Sequence, residues 1–271
     1  KLVHGRADDL LSLLCLARPR ESVALMIAPA MNREMWSHPA TQRNLLQLRQ
    51  DGAVVLGVGH GEQACGETGD GRMLEPDQIV EAVVGHFQPK LLSGRSVLIT
   101  AGPTFEALDP VRGLTNRSSG KMGFAMARAA RDAGAQVSLV AGPVNLPTPE
   151  GVRRWDVHSA QQMYDAVMAE VGQADIFIAC AAVADWRAEV ISEQKVKKVA
   201  GEKPAPMSFV ENPDILATVA RSDRARTGEL FCVGFAAESH ELLAHAQAKR
   251  ERKGVPLLVG NIGPATFGDR K

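Results

Sequence analysis

Two segments of this sequence combine small residues with groups that suit a phosphorylated ligand. In the first, Gly102 and Thr104 follow an apolar run, and Ser118, Ser119 and Gly120 precede a helical pattern. Small residues and backbone N–H groups at the start of a helix form a natural cradle for phosphate. An ordinary serine cap followed by a glycine for close helix packing explains the same pattern, so both interpretations stay open.

The second segment contains Ala181, Ala182 and Asp185, directly after another apolar run. Small residues after a buried strand let a flat base or a ribose approach the backbone. An aspartate at this place could hold a magnesium ion, because magnesium is usually bound by one or two carboxylates together with phosphate oxygens. The segment therefore favours a nucleotide site.

A lysine-rich stretch follows the second segment and contains Lys195, Lys197 and Lys198. On a mobile loop these side chains could neutralise charge that develops during a reaction. A solvated surface loop is the more common origin of such a run. The catalytic interpretation therefore needs support from other residues.

Two familiar nucleotide motifs do not fit the first segment. A dinucleotide fingerprint requires three glycines and an acidic residue at the end of the following strand. Only Gly120 and Gly123 match it, and the next strand ends at Gly142. A P-loop requires serine or threonine after Gly-Lys, whereas Met122 follows Lys121. These differences disfavour NAD and exclude an ATPase of the P-loop class.

The elements that must position these segments alternate between strand and helix. The periodicity predicts strands at 22–28, 53–58, 96–101, 136–141, 176–183, 231–235 and 256–259. It predicts helices at 7–16, 43–50, 76–87, 119–133, 161–171, 213–220 and 240–253, with the glycine-rich stretch 59–72 as a loop. This alternation predicts an α/β fold with a mainly parallel sheet, in which ligands bind past the carboxyl ends of the strands. A polar connector around Pro89 divides the chain into domains at 1–88 and 89–271.

Composition limits the classes of function. The 271 residues carry 31 basic and 31 acidic side chains, and this balance argues against a nucleic acid or a membrane surface as partner. The longest apolar stretch is about half the length of a bilayer span, and no signal pattern opens the chain, which predicts a cytoplasmic protein. The four cysteines have no CxxC spacing, which argues against a zinc site or a disulfide framework.

The motifs of both segments together resemble phosphopantothenate-cysteine ligase. The resemblance is carried by Gly102-Pro103-Thr104, Asp109-Pro110-Val111-Arg112, Asn116 to Gly123, Ala181 to Asp185, Lys195 to Lys198, Asn212-Pro213-Asp214 and Gly234 to Glu238. The N-terminal third resembles the end of phosphopantothenoylcysteine decarboxylase, through Ala28 to Trp36 and the loop from Cys65 to Arg72. The resemblance implies most of a bifunctional enzyme of coenzyme A biosynthesis. Its fold would be a Rossmann-like ligase domain, incomplete at the C-terminus, preceded by a fragment of a flavodoxin-like decarboxylase domain.

For the ligase, the resemblance implies that 4'-phosphopantothenate reacts with CTP and magnesium to form an acyl-cytidylate, which cysteine converts to the amide. Asn116 is then the residue associated with the acyl-cytidylate, Lys195 has the catalytic role of the lysine-rich stretch, and Arg112 suits a phosphate or a carboxylate. The implied nucleotide-site residues are Gly102, Thr104, Ser118, Ser119, Gly120, Ala181, Ala182, Asp185, Lys197, Lys198 and Phe235, with Asp185 as the magnesium ligand. Trp186 and Gly113 depart from the family pattern, in which a tyrosine and a larger side chain are expected.

For the decarboxylase, the resemblance implies that Asn32 holds the substrate carboxylate and that Cys65 protonates the intermediate formed after oxidation by FMN. The family's flavin-binding start lies upstream of Lys1, so the chain as given is expected to bind FMN weakly or not at all. We also expect a homodimer through the ligase domain, and a higher homo-oligomer with a complete decarboxylase domain. A non-catalytic, flavoprotein-like regulatory or binding subunit is the alternative, although a pure binding module needs neither Asn116 nor Lys195.

Overall fold

The computed structural model describes residues 1–64, 66–197, 206–238 and 241–262. The chain divides into two compact units, Lys1–Gln88 and Pro89–Lys271. Within the described ranges, no helix has both the length and the apolar character that a membrane span requires.

The first unit consists of short elements. Its helices are α1 (Leu10–Ala17), α2 (Arg33–Ser37), α3 (Pro39–Gln50) and α4 (Pro76–Phe87), after a 3-10 turn at Leu2–His4. Its strands are β1 (Met26–Ile27), β2 (Val54–Val55), β3 (Gly59–Glu62) and β4 (Thr68–Arg72). The strands β1 and β2 pair in parallel through two residues each, and β3 and β4 form an antiparallel hairpin.

The hairpin of β3 and β4 lies where a loop is predicted, so that prediction is wrong. Its glycines permit a close approach to a neighbouring segment rather than breaking the strands. A side chain at Gly71 would overlap the Met31 carbonyl oxygen, and the Met31 N–H donates to the Gly71 carbonyl at 2.8 Å. The missing Cβ therefore lets the hairpin lie against the segment that carries Asn32.

The second unit is built on a six-stranded parallel sheet, which confirms the predicted α/β fold. The strands of this unit are β5 (Ser96–Ala101), β6 (Phe105–Ala107), β7 (Gly113–Thr115), β8 (Gln136–Ala141), β9 (Arg153–Asp156), β10 (Ile176–Ala179), β11 (Trp186–Ala188), β12 (Phe209–Glu211), β13 (Phe231–Glu238) and β14 (Leu257–Ile262). The main sheet has the order β14-β13-β10-β5-β8-β9. Antiparallel pairs β6–β7 and β11–β12 extend from the connections after β5 and β10.

Helices cover both faces of the main sheet. They are α5 (Lys121–Asp132), α6 (Ala160–Glu170), α7 (Ile215–Ala220), α8 (Asp223–Thr227) and α9 (Leu242–Lys253). Alternate residues of β5 point to opposite faces: Val97 and Ile99 belong to the apolar cluster of Phe124, and Leu98 belongs to that of Met163. Burial on both faces explains why a central parallel strand is almost continuously apolar.

Most predicted elements are present, with bounds that differ by a few residues. The bounds of α4, β5 and β8 are those predicted. β10 ends at Ala179 rather than at residue 183, because the chain turns at Cys180, whose N–H donates to the Ile178 carbonyl at 3.2 Å. Short elements escaped prediction because three to five residues carry no usable periodicity; they are α2, β6, β7, β9, β11, β12 and α8.

Gly142, directly after β8, lies against the loop that follows β5. A Cβ at this position would overlap the Pro103 carbonyl oxygen. The Gly142 N–H also donates to the Ala101 carbonyl at 2.9 Å, which fixes its backbone beside β5. Only glycine fits this approach of two backbone segments.

We expect Gly142→Ala to lower the free energy of unfolding by about 2 kcal/mol, the typical cost of forcing an extra carbon into a packed site. Gly172→Ala is the matched control, since nothing lies within 4 Å of a Cβ built there. Urea unfolding of the full chain, followed by circular dichroism, measures both variants. A Gly142→Ala protein as stable as the control would contradict the close approach.

Candidate functional site

The sheet order singles out one crevice as the natural place for a ligand. In the main sheet, β5 comes first along the chain, and β8 and β9 follow on one side of it. The chain then crosses to the other side of β5, where it forms β10. Open parallel sheets bind ligands at such a switch point, outside the carboxyl ends of the strands. The first and second predicted segments follow β5 and β10, the two strands that border this point.

Backbone hydrogen bonds join the loops that leave β5 and β10. The Ala182 N–H donates to the Gly102 carbonyl at 2.9 Å, and the Thr104 N–H donates to the Ala182 carbonyl at 3.3 Å. The Thr104 hydroxyl oxygen accepts from the Ala184 N–H at 3.0 Å. Because Thr104 is fully buried, its side chain fastens the two loops together.

Asn116 ties the predicted phosphate cradle to the same junction. Its amide nitrogen donates to the Ala182 carbonyl, and its Oδ1 accepts from the Ser118 N–H at 3.1 Å. Ser118 Oγ accepts from the Gly120 N–H at 3.3 Å. Gly120, with a φ of 76°, leads into α5 from the left-handed conformation. The structure thus brings Asn116, Ser118, Ser119 and Gly120 to the switch point.

A cavity of about 580 Å³ lies beside the loop after β10. Three of the predicted nucleotide residues, Ala181, Asp185 and Phe235, line it. The other lining residues were not predicted as site residues, and those with aromatic or charged side chains include Trp186, Asp214, Lys249, Arg252 and Lys253. The cavity therefore combines an aromatic side chain, carboxylates and a basic cluster.

The basic cluster of the cavity comes from α9. Lys249, Arg252 and Lys253 are spaced by three and four residues, and this spacing places side chains on one face of a helix. Basic residues in a last helical turn also complement the helix dipole, so the sequence alone gave no reason to assign them to a ligand. All three side chains line the cavity, and this favours a role in binding a ligand over a role that only complements the helix dipole.

Asp214 connects α7 with α9. Its Oδ1 caps α7 by accepting from the Ala217 N–H at 2.9 Å, and its Oδ2 pairs with Lys253. Burial raises the pKa of the Asp214 carboxyl, but the hydrogen bonds from Lys253 and from the Ala217 N–H outweigh this and hold the pKa below its usual range. Asp214 is therefore ionised at neutral pH.

Asn212 holds the loop that carries Asp185. Its amide nitrogen donates to the Ala184 carbonyl at 2.9 Å, and its backbone N–H donates to the Asp185 carbonyl at 2.8 Å. Arg187 donates to the Asn212 Oδ1 at 3.1 Å and so fixes the amide. Asn212, the first residue of the Asn-Pro-Asp motif, thus fixes the loop that forms one wall of the cavity.

The lysine-rich stretch lies in residues 189–197, the part of this segment that the structure describes, and we call these residues the lysine loop. The lysine loop contacts the connection between β6 and β7. Asp109 Oδ2 accepts from the Val196 N–H at 3.2 Å, and Arg112 Nη2 donates to the Val196 carbonyl at 2.5 Å. Lys195 and Lys197 flank this contact and are exposed, whereas Lys198 lies outside the described residues. The guanidinium of Arg112 is therefore engaged by protein groups.

Asp185 is exposed at the mouth of the cavity. In the described ranges, no group of three or more His, Cys, Asp or Glu side chains is arranged to hold a metal ion. Magnesium does not require such a group, since phosphates of a bound nucleotide and water supply its other ligands. One carboxylate at Asp185 fits that kind of site.

Cys180 lies at the end of β10, next to the junction. Burial raises the pKa of its thiol to about 11. The thiol is therefore protonated at neutral pH and is a poor nucleophile. Gly113, on β7, has no room for the larger side chain expected from the family pattern, because a Cβ there would overlap the ring of Phe105.

In the first unit, Asn32 lines a cavity of about 750 Å³ together with Met31, Gln63 and Arg72. Its Oδ1 accepts from the Met35 N–H at 2.9 Å and caps α2. Its amide nitrogen can then donate to an acceptor on a ligand. An amide donor fits the predicted role of holding a carboxylate. Cys65 lies outside the described residues.

The fold and the position of the site define an α/β domain with a parallel sheet and a ligand crevice at its switch point. The chain belongs to the family described as the DNA/pantothenate metabolism flavoprotein C-terminal domain, whose model matches residues 92–269. Residues 1–88 match the family described as Flavoprotein. The resemblance found in the sequence is confirmed at this level.

Named relatives agree with this family. The chain is 49% identical to the coenzyme A biosynthesis bifunctional protein CoaBC of Vibrio vulnificus, over 96% of this chain and 64% of that protein. It is 47% identical to the protein of the same name from Escherichia coli, over 96% of this chain and 63% of that protein. The crystal structure of the C-terminal domain of a CoaBC protein is 37% identical, with a TM-score of 0.54, over 62% of this chain and 78% of that one. The chain thus spans slightly less than two thirds of these curated relatives.

We expect Asp214→Asn and Asp214→Ala to separate the two contacts of Asp214. Asparagine keeps an oxygen that can cap α7, whereas alanine loses the cap, so Asp214→Ala should be about 1 kcal/mol less stable than Asp214→Asn at every pH. The ion pair with Lys253 stabilises only while the carboxylate is charged. The stability gap between wild type and Asp214→Asn should therefore be full at pH 7, shrink once the pH falls below the ordinary carboxyl pKa of 3.8, and be lost as the pH falls through the lowered pKa of Asp214.

Thermal unfolding midpoints between pH 7 and pH 3 measure these differences. A gap between wild type and Asp214→Asn that stays constant down to pH 3 would show that the ion pair does not contribute.

Proposed function

We propose that this chain joins 4'-phosphopantothenate to cysteine, using CTP and magnesium, through an acyl-cytidylate. The observation that carries the proposal is the cavity at the carboxyl end of β10, which combines an aspartate, an aromatic side chain and a basic helix face. A nucleoside triphosphate with magnesium needs all three: a metal ligand, a surface for the base and positive charge for the phosphates. The family and the named relatives support a role in coenzyme A biosynthesis.

In the first step, a carboxylate oxygen of 4'-phosphopantothenate attacks the α-phosphorus of CTP. The new O–P bond forms as the bond to the bridging oxygen breaks, and pyrophosphate leaves. Lys249 and Arg252 balance the charge of the triphosphate, whereas Lys253 is already paired with Asp214. Asp185 would hold magnesium, which would supply a further positive charge when it is bound. Lys195 neutralises the charge that develops on the leaving group.

In the second step, the amine of cysteine attacks the acyl carbon of the intermediate. The C–N bond forms, the acyl–oxygen bond breaks, and CMP leaves while the amine loses a proton. Asn116 binds the intermediate: one amide hydrogen is donated to Ala182, and the second can donate to an acyl-cytidylate oxygen. Because an amide does not titrate, this donor is available at every pH at which the protein is folded.

Recognition of cytosine follows from the backbone of the same loop. Ala181 and Ala182 carry only methyl side chains, which leave room for a base, so backbone groups near them can bond to a pyrimidine edge that a purine does not present. We therefore propose CTP rather than ATP as the substrate. The homodimer and the cytoplasmic location stay predictions.

For the first unit we propose a share in decarboxylation, with Asn32 donating to the carboxylate of phosphopantothenoylcysteine. The fit of FMN to this unit is incomplete, because a parallel pair of two residues in each strand does not build the crevice in which doubly wound sheets hold a nucleotide cofactor.

We expect substitutions of Asn116 and Lys195 to block different steps. Asn116→Asp should form the acyl-cytidylate but accumulate it, because the added negative charge disfavours its onward reaction with cysteine. Lys195→Gln should slow formation of the intermediate, since a positive charge near the phosphates is lost. Single-turnover reactions with α-labelled CTP and 4'-phosphopantothenate, with and without cysteine, measure both.

The control is Arg226→Gln, which removes an exposed positive charge from α8 and should react like wild type. Identical products from the Asn116 and Lys195 variants would refute the division of roles. A wild-type protein that makes no acyl-cytidylate and no amide would refute the proposed function.

A further inference from the structure

Asp109 is a buried carboxylate outside the cavity. Its side chain has no exposed surface, although it lies in the short connection between β6 and β7. Oδ1 accepts from the N–H groups of Val111 and Arg112, both at 2.8 Å. These contacts lie within three residues along the chain and close the turn. They account for one of the two carboxylate oxygens.

The other oxygen reaches a distant segment. Oδ2 accepts from Arg112 Nη2 at 2.7 Å and Nε at 3.0 Å, and also from the N–H of Val196 at 3.2 Å. Arg112 Nη2 in turn donates to the Val196 carbonyl at 2.5 Å. Both backbone polar groups of Val196 are therefore bound by this one ion pair.

A second contact supports the same docking. The Ser192 N–H donates to the Leu108 carbonyl at 3.0 Å. The lysine loop is thus held to the β6–β7 connection at two points four residues apart. Lys195 lies between these points, directly before the bound Val196.

Burial raises the pKa of the Asp109 carboxyl, but the hydrogen bonds from Arg112 and from the N–H groups of Val111, Arg112 and Val196 outweigh it and hold the pKa far below its usual range. The carboxylate is therefore charged at neutral pH and at mildly acidic pH. The pair with Arg112 is permanent under those conditions.

We propose that the pair of Asp109 and Arg112 is a positioning device for the lysine loop, holding Val196 so that Lys195 meets the reacting phosphates. The proposal rests on the proposed function for the role of Lys195. Holding a side chain in the middle of a loop at one position costs conformational entropy. Fixing the neighbouring backbone in advance removes part of that cost, and small misplacements of a catalytic group cost up to about 100-fold in rate. Arg112 then acts through Lys195 rather than by touching a phosphate.

Arg112→Lys is the sharpest test, because lysine keeps the charge and can pair with Asp109. A single ammonium group cannot reproduce the planar fork that bonds Asp109 through two nitrogens and also reaches the Val196 carbonyl. We expect the rate of acyl-cytidylate formation at saturating CTP to fall about 10- to 100-fold, while the Kd for CTP changes less than about threefold. Trypsin should cleave after Lys195 and Lys197 faster than in wild type, as mass spectrometry of the full-length protein can measure.

Asp109→Asn should show the same two effects more strongly, unless the loss of the buried charge prevents folding, in which case Arg112→Lys alone decides. Arg226→Lys is the matched control, since Arg226 pairs with Asp223 at the same spacing of three residues on α8 and should change neither cleavage nor rate.

Two results would overturn the proposal. In the first, Arg112→Lys leaves loop cleavage and the rate unchanged. In the second, it weakens CTP or 4'-phosphopantothenate binding in proportion to the rate while cleavage stays as in wild type, which would place Arg112 in contact with a substrate. If wild type forms no acyl-cytidylate, the proposed function fails, and the cleavage comparison still decides whether the pair holds the loop.

Discussion

The site depends on one backbone junction, at Ala182. Its N–H bonds to the loop after β5, and its carbonyl accepts both the Thr104 N–H and the amide of Asn116. This one residue thereby joins the loop after β10 to two stretches of the connection that follows β5, at 102–104 and at Asn116. Parallel strands end at the same edge of the sheet, so residues from the connections after β5 and β10 meet at this junction.

The charged groups of the proposed site fall into two sets with different physical tasks. Lys249 and Arg252 belong to a rigid helix and line the cavity, so they suit the permanent charge of a bound triphosphate. Lys195 belongs to a loop, where a side chain can meet charge that appears only during reaction. The buried Asp109 connects Val196 of this loop to the β6–β7 connection, and its carboxylate tolerates burial because it is paired with Arg112 and hydrogen-bonded.

The sequence predicted the central strands and the loops after them, because buried parallel strands are continuous apolar runs and ligand sites follow their ends. It did not predict what depends on contacts between distant segments. The hairpin at 59–72 was missed because Gly71 reads as a breaker until Met31 is seen beside it. Asp109 reads as an ordinary turn residue until Val196, 87 residues away, is found on its second oxygen. The basic face of α9 likewise has meaning only once the cavity is known.

The proposed reaction requires the cavity beside β10 to bind the nucleotide. Hydrogen exchange of the full chain, measured by mass spectrometry with magnesium and saturating CTP, reports where the nucleotide binds. Binding in the cavity should slow exchange at 179–186, at 209–216 and in α9, with weaker protection by ATP at the same concentration. Protection confined to residues 1–88 would contradict binding in the cavity, and equal protection by the two nucleotides would contradict the preference for CTP.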